Sequence, residues 1–140
     1  MGYQSPRTYC LYFSGATVSP VDSTTYYIGS IYGLTIATNE DNCQVEIPRT
    51  GFIRSASIQM HSSTNTGSNE NQSMYVRKNT ATDYLIETVG TATAMRHFVN
   101  DNMNVPVTKG DTIELKWVCP VWADNPTGCR IGGMIVIEAA

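Results

Sequence analysis

The feature that most constrains this chain is a repeated alternation of apolar and polar residues with a period of two. Ile113, Leu115 and Trp117 alternate with Glu114 and Lys116, and the same pattern recurs along the sequence. No stretch keeps apolar residues at positions i, i+3, i+4 and i+7 over three turns. Because the side chains of a β-strand point alternately to its two faces, this pattern predicts a nearly all-β protein.

Ten short strands follow from the alternation, and turn residues separate them. They are predicted at residues 9–13, 25–29, 33–37, 43–48, 52–60, 74–79, 84–89, 93–99, 113–117 and 132–138. The connections are too short for crossover helices, which favours antiparallel pairing in a two-sheet β-sandwich of jelly-roll type. The segment 105–111 is predicted to form a turn. The segment 61–72 contains no apolar residue and is predicted to be an exposed loop that folding does not require.

Length and charge limit the range of functions. The chain has 140 residues, 41% of them hydrophobic, which suits one domain at residues 8–140 after an N-terminal arm at residues 1–7. The formal net charge of −3 gives no general attraction to phosphate backbones, so nucleic acid is not an expected partner. No apolar run approaches the roughly 20 residues of a membrane span, and the N-terminus lacks the pattern of a secretory leader. We expect a protein that is neither inserted in a membrane nor exported.

Searches for catalytic templates give no convincing match. Ser30 follows the first glycine of its segment and is not central in a G-x-S-x-G elbow, so it is interpreted as a turn residue. Glu40 and Asp41 are adjacent in the sequence and are interpreted as a solvated turn. For His61 and His97, the sequence spacing indicates no carboxylate that would orient the imidazole for catalysis. We therefore expect no enzyme activity and no cofactor.

The four cysteines, at positions 10, 43, 119 and 129, lack the C-x-x-C spacing of a zinc site, and no metal is expected. Cys10 and Cys43 lie in alternating segments and are predicted to be small core residues. Cys119 and Cys129 bracket a loop and are a candidate disulfide pair. The alternative is that they stay reduced, as is usual for a protein that is not exported.

The final predicted strand is apolar on both faces at Met134, Ile135, Val136 and Ile137. A strand of this kind is typically buried on both sides, whereas a single sandwich has only one interior. The four residues are therefore predicted to form an oligomer interface. Replacing Ile135 or Ile137 by Asp is expected to dissociate the oligomer or to cause misfolding.

Five phrases of the sequence together support a family resemblance. They are Thr25–Gly29, Val45–Ile53, Val76–Asn79, Lys109–Trp117 and Gly133–Glu138. In this order, which covers nearly the whole chain, they resemble small β-sandwich virion proteins of tailed bacteriophages, of the head-decoration, head-fibre or tail-fibre-tip type. The turn ending in Gly110-Asp111, followed by an alternating strand, is also similar to the trimeric TNF and C1q-type jelly rolls.

The resemblance implies a structural role in a virion assembled in the host cytoplasm, a jelly-roll fold and a homotrimer. Fibres of this type carry a long N-terminal shaft, whereas the first strand here is predicted to begin by Thr8. A decoration or cap subunit is therefore favoured over a tip cut from a long fibre.

Two kinds of partner contact are expected. Tyr3 and Arg7 belong to residue types enriched at interfaces, and Pro6 cannot donate a backbone hydrogen bond, so the arm is predicted to dock on other virion proteins. The alternative function is a receptor- or carbohydrate-binding module that contacts a host surface glycan. Its candidate ligand loop contains Trp122, Asp124 and Asn125, with Trp122 as a stacking surface if it is exposed.

Overall fold

The computed structural model describes residues 7–29, 36–64, 70–90 and 94–140. Its elements in chain order are β1 (Arg7–Val18), β2 (Thr25–Ile28), β3 (Ile36–Ala37), a 3-10 turn (Glu40–Asn42), β4 (Val45–Glu46), β5 (Gly51–His61), β6 (Asn71–Lys78), β7 (Thr82–Gly90), β8 (Met95–Asn100), β9 (Val105–Val107), β10 (Thr112–Val118) and β11 (Cys129–Ala139). Within these ranges, no helix is long and apolar enough to cross a membrane.

The strands form two antiparallel sheets. Sheet A has the order β1-β11-β5-β8, with β9 also paired to β5. Sheet B has the order β3-β2-β10-β6-β7, with β4 also paired to β10. All the strand pairs in both sheets are antiparallel.

The connections between the sheets define a jelly roll. Without the short strands β3, β4 and β9, eight strands remain, and every connection except the β6–β7 hairpin passes from one sheet to the other. The first and last strands, β1 and β11, are neighbours. This wrapping of antiparallel strands around one interior is the jelly-roll arrangement and confirms the predicted fold class.

The core lies between the sheets and contains the inward side chains of both. Phe13, Ile58 and Ile135 of sheet A are fully buried, as are Leu115 and Trp117 of sheet B. The Trp117 indole N–H donates to Gln72 Oε1 at 2.8 Å, and its ring lies 5.5 Å from that of Tyr26. The alternation seen in the sequence thus assigns the inward face of β10 correctly.

Two predicted elements differ from the structure. The predicted strand at 43–48 is reduced to the two-residue strand β4, because Val45 and Glu46 are the residues of this segment that pair, with Ile113 and Thr112 of β10. The predicted turn at 105–111 begins with strand β9, which pairs with residues 51–53 of β5. Residues 33–35 of the predicted third strand lie outside the described residues.

The predicted polar loop is shorter than expected and is anchored at both ends. His61 belongs to β5, and Asn71 and Gln72 begin β6. Ser62 is buried, and its Oγ lies 3.3 Å from the Cys129 Sγ. Replacing the whole segment from Ser62 to Asn71 would therefore remove core contacts, and the prediction that it contributes nothing to folding is wrong for its ends.

Candidate functional site

The outer surface of sheet A is the candidate functional site, and we call its central part the A face. The register places its side chains in rows across β1, β11, β5 and β8, so that Tyr12, Met134, Ser57 and Val99 form one row. The A face consists of Cys10, Tyr12, Ser14, Ser55, Ser57, Gln59, His97, Val99, Gly132, Met134 and Val136. None of these residues is Asp, Glu, Lys or Arg.

Apolar side chains on the A face are open to solvent within one chain. Tyr12 is 67% exposed, Val99 38% and Met134 37%, and Met95 at the end of β8 is also exposed. Charged side chains lie towards the ends of the sheet, where Arg54 Nη2 and Glu138 Oε1 are 3.4 Å apart. An uncharged centre with exposed apolar side chains is typical of the core of a protein interface.

A shallow concavity of about 500 Å³ lies on the A face. Gly132 creates it, because a Cβ at this position would have no heavy atom nearer than the Phe13 carbonyl oxygen at 4.0 Å. Tyr12, Gln59, His97 and Met134 stand around it. The surface therefore has a recess that can receive a side chain or a small uncharged group.

The four residues predicted as an oligomer interface divide between two environments. Ile135 and Ile137 are fully buried in the sandwich core, so their assignment to an interface is wrong. Met134 and Val136 point outward, opposite Tyr12 and Cys10 of β1. Strict alternation along β11 explains the division, since neighbours in a strand face opposite sides.

The predicted ligand loop is built around Asp22. The Asp22 Oδ1 accepts hydrogen bonds from the Trp122 backbone N–H at 3.1 Å and from the Asn125 side chain at 3.2 Å. Asp124 is exposed, but Trp122 is only 5% exposed. The Trp122 indole belongs to the core and offers no stacking surface to a sugar.

The arm extends over residues that are only partly described. Tyr3 lies outside the described residues. Arg7 is exposed and is the first residue of β1, paired with Ala139, so this residue of the predicted arm belongs to the first strand. Docking through the arm stays a prediction.

The cysteines are free thiols in the structure. Cys119 and Cys129 are buried, and burial raises the pKa of both thiols. The structure shows no bond between them, and their pairing as a disulfide stays a prediction. Cys43 is buried as predicted, whereas Cys10 is only half-buried on the A face, so its assignment to the core is wrong.

On sheet B the structure brings together charged residues that the sequence did not connect. Arg77 Nε lies 2.7 Å from Glu40 Oε2, and Arg77 Nη1 lies 2.9 Å from Asp83 Oδ1. The Lys116 ammonium lies 2.6 Å from Asp83 Oδ2. The predicted solvated turn at Glu40 is therefore part of a network, in which Arg77 has carboxylates on two sides.

Glu114 is the residue that the sequence interpretation missed. Its alternation with Ile113 and Leu115 predicts an outward carboxylate, and it does point away from the core, yet its side chain is fully buried. No sequence signal gave this result, because the residues that cover it are distant in the chain. Across residues 7–29, 36–64, 70–90 and 94–140, no group of three or more His, Cys, Asp or Glu is placed to hold a metal ion.

Comparison with protein-family models and with curated proteins gives no match. Among solved structures, the chain is similar to one described as Desmodium yellow mottle tymovirus, with 9% sequence identity and a TM-score of 0.32. That similarity covers 99% of this chain and 91% of the other. Inference about function therefore rests on the residues and contacts of this chain.

Proposed function

We propose that the protein is a non-enzymatic structural subunit of a virion, which acts as a homotrimeric capsid decoration, head-fibre or fibre-cap subunit of a tailed bacteriophage. The sequence resemblance supports the virion role and the trimer. The buried Cys119 and Cys129 thiols argue against a nucleophilic role for these two cysteines, because their raised pKa values leave little thiolate. Assembly in the host cytoplasm and contacts with other virion proteins belong to the same proposal.

The proposal rests on the exposed apolar side chains of the A face and on the absence of Asp, Glu, Lys and Arg among its residues. Two copies can cover such a surface without burying an unpaired charge, which would cost several kcal/mol. Met134 and Tyr12 supply apolar area, and the recess over Gly132 allows a protruding side chain of a second copy to enter. We infer that Met134 and Val136 are the residues of β11 that contact a second copy.

Measurement of the molar mass in solution tests this proposal. The unmodified chain is expected to have three times its 15.4 kDa at micromolar concentration. Met134→Lys places an ammonium on the A face and is expected to give single chains, because desolvation of that charge opposes association. Leu85→Lys is the matched control, since Leu85 is 47% exposed and lies in sheet B.

Leu85→Lys is expected to keep the mass of the unmodified protein. A stable single chain in the unmodified protein would contradict the trimer. Equal dissociation by both variants would contradict the assignment of the A face as the contact.

The second candidate function, carbohydrate binding, is favoured by one observation. The recess has the volume of a small-ligand site, and an exposed Tyr12 ring stands beside the hydroxyl, amide and imidazole groups of Ser57, Gln59 and His97. Such a lining suits an uncharged sugar ring, with Tyr12 as the stacking surface. The site is then the A face and not the loop that contains Trp122.

Tyr12→Ala separates the two candidates. If the recess binds sugar, saturation-transfer NMR with galactose, mannose and N-acetylglucosamine should show binding to the unmodified protein, and Tyr12→Ala should abolish it at unchanged molar mass. If the A face joins copies, Tyr12→Ala should lower the molar mass, and none of the three sugars should bind.

A further inference from the structure

Residues 36–43 form a short segment on sheet B that we call the strap. It begins with β3, which pairs with Tyr27 and Ile28 of β2, and continues through the 3-10 turn to Cys43. The Cys43 thiol donates to the Tyr27 carbonyl at 3.3 Å, and a Cβ on Gly29 would lie only 2.6 Å from the Cys43 Cα. The strap is therefore tightly packed against β2.

The strap reaches past β10 through Glu40. Its carboxylate contacts Arg77 of β6, and β10 lies between β2 and β6 in the sheet. Glu114 of β10 lies opposite Arg77 in the strand register, on the side away from the core. Its carboxyl group is thus enclosed between the strap and the sheet.

Glu114 has few compensating interactions. Within the described parts of the chain, no group donates a hydrogen bond to either of its carboxyl oxygens, and its contact with the Arg77 guanidinium is 3.9 Å, from Oε1 to Nε. Arg77 is already engaged by Glu40 at 2.7 Å and by Asp83 at 2.9 Å. A charged carboxylate would therefore be buried in this place with little to stabilise it.

The charged and titratable groups around Glu114 come from the strap and from strands β6, β7 and β10, and the flanking strand β2 places Tyr27 opposite Lys116. Glu40 and Cys43 belong to the strap, Arg77 to β6, Asp83 to β7 and Lys116 to β10. Burial and, after it, the neighbouring carboxylates of Glu40 and Asp83 together raise the pKa of Glu114 to about 8 against the opposing effect of Arg77. Burial, with a contribution from Glu114, also raises the pKa of Cys43 to about 11, so Cys43 stays a neutral thiol near pH 7.

We propose that Glu114 is a proton-dependent latch for the strap. When it is protonated, it is neutral and tolerates enclosure beside Glu40. When the strap lifts, water reaches Glu114, its proton is released to solvent, and the new carboxylate repels Glu40 and opposes closure. The strap thus opens with the release of one proton, which makes its opening depend on pH.

Linkage gives the direction and range of this dependence. The closed state binds the proton more tightly than the open state, in which Glu114 returns towards its ordinary value of 4.5. The proton on Glu114 therefore stabilises the closed state fully below pH 4.5, and this stabilisation is lost as the pH rises towards about 8. Between these limits the open fraction should rise about tenfold for each pH unit.

Hydrogen exchange of the strap amides tests the latch. After correction for intrinsic exchange, the protection of residues 36–43 is expected to fall about tenfold per pH unit from pH 5 to pH 8, while the amides of β5 and β11 keep theirs. Glu114→Gln stays neutral and is expected to remove the pH dependence. Glu46→Gln is the matched control, because Glu46 is exposed on β4 beside the same strand and should leave the dependence unchanged.

Protection of the strap that does not change with pH would overturn the proposal, as would an equal pH dependence in Glu114→Gln. If Glu114→Gln does not fold, the carboxyl carbon of Glu114 in the unmodified protein is followed by NMR during a pH titration. A midpoint above 7 supports the latch, and a midpoint near 4.5 contradicts it. The latch is on sheet B and does not depend on the proposed virion role.

Discussion

Ile135→Asp is expected to prevent folding of the subunit. Ile135 is fully buried at the centre of sheet A, where its neighbours across the strands are Leu11 and Ala56. A carboxyl group in that position loses its hydration and gains no cation, and the apolar contacts of the isoleucine are lost. We expect a loss of about 5 kcal/mol or more, measured as loss of the cooperative thermal transition in circular dichroism.

Met134→Asp is the control, since it places the same group one residue away on the other side of β11. Met134 is partly exposed within one chain, so the carboxylate stays hydrated there: Met134→Asp is expected to separate the copies, as Met134→Lys does, but to leave each subunit folded with a cooperative thermal transition. Equal destabilisation by the two variants would contradict the assignment of faces in β11. Of the two outcomes expected from the sequence for Ile135→Asp, dissociation of an oligomer or misfolding, the burial of Ile135 favours misfolding.

Gly133→Ala is expected to destabilise the protein by about 3 kcal/mol. A Cβ at this position would lie 2.3 Å from the Ser57 carbonyl oxygen and 2.7 Å from the Ile58 Cα. Both atoms belong to the backbone of β5, so strands β5 and β11 would have to separate. Thermal or urea unfolding measures the effect.

The adjacent Gly132→Ala substitution provides the comparison. The nearest atom to a Cβ there is 4.0 Å away, and alanine restricts the unfolded chain more than glycine does. We expect no loss of stability, or a gain of about 0.5 kcal/mol. If Gly133→Ala were as stable as Gly132→Ala, the close approach of the two strands would be incorrect.

The fold could be predicted from the sequence where alternation and burial agree. Ala56, Ile58 and Met60 occupy every second position of β5, and all three are buried. This pattern arises because one face of each sheet packs on the other sheet and the opposite face does not. Several such strands with short connections were enough to indicate an antiparallel sandwich.

Elements whose structure depends on a distant partner were not predicted. Val105 and Val107 flank a proline and indicate a turn locally, yet they pair with Ile53 and Gly51, more than fifty positions earlier. The local pattern likewise predicts that Glu114 is a surface residue. Its side chain is buried because Glu40 and the rest of the strap, which are distant in the chain, enclose it. Local periodicity contains no information about which segments meet.

The candidate site was only partly predictable for the same reason. A run of four apolar residues indicated that both faces of β11 are buried. In the structure, Ile135 and Ile137 are buried by the core of the same chain. The contributions of Tyr12 and Gly132 to the A face were not foreseen. They become neighbours of Met134 only through the pairing of β1 with β11.

The position of β11 between β1 and β5 also determines how the protein can fold. Among the strands that the structure describes in sheet A, β1 pairs with β11 alone, so it has no partner among them until β11 is in place. Their register joins Arg7 to Ala139 and therefore requires closure of a loop that contains almost the whole chain. Because non-local pairing of this kind slows folding, we expect slow formation of sheet A, with β5 and β8 able to pair before β1 is fixed. During that interval β1 is an unpaired strand, whose free backbone groups can misassemble with other chains.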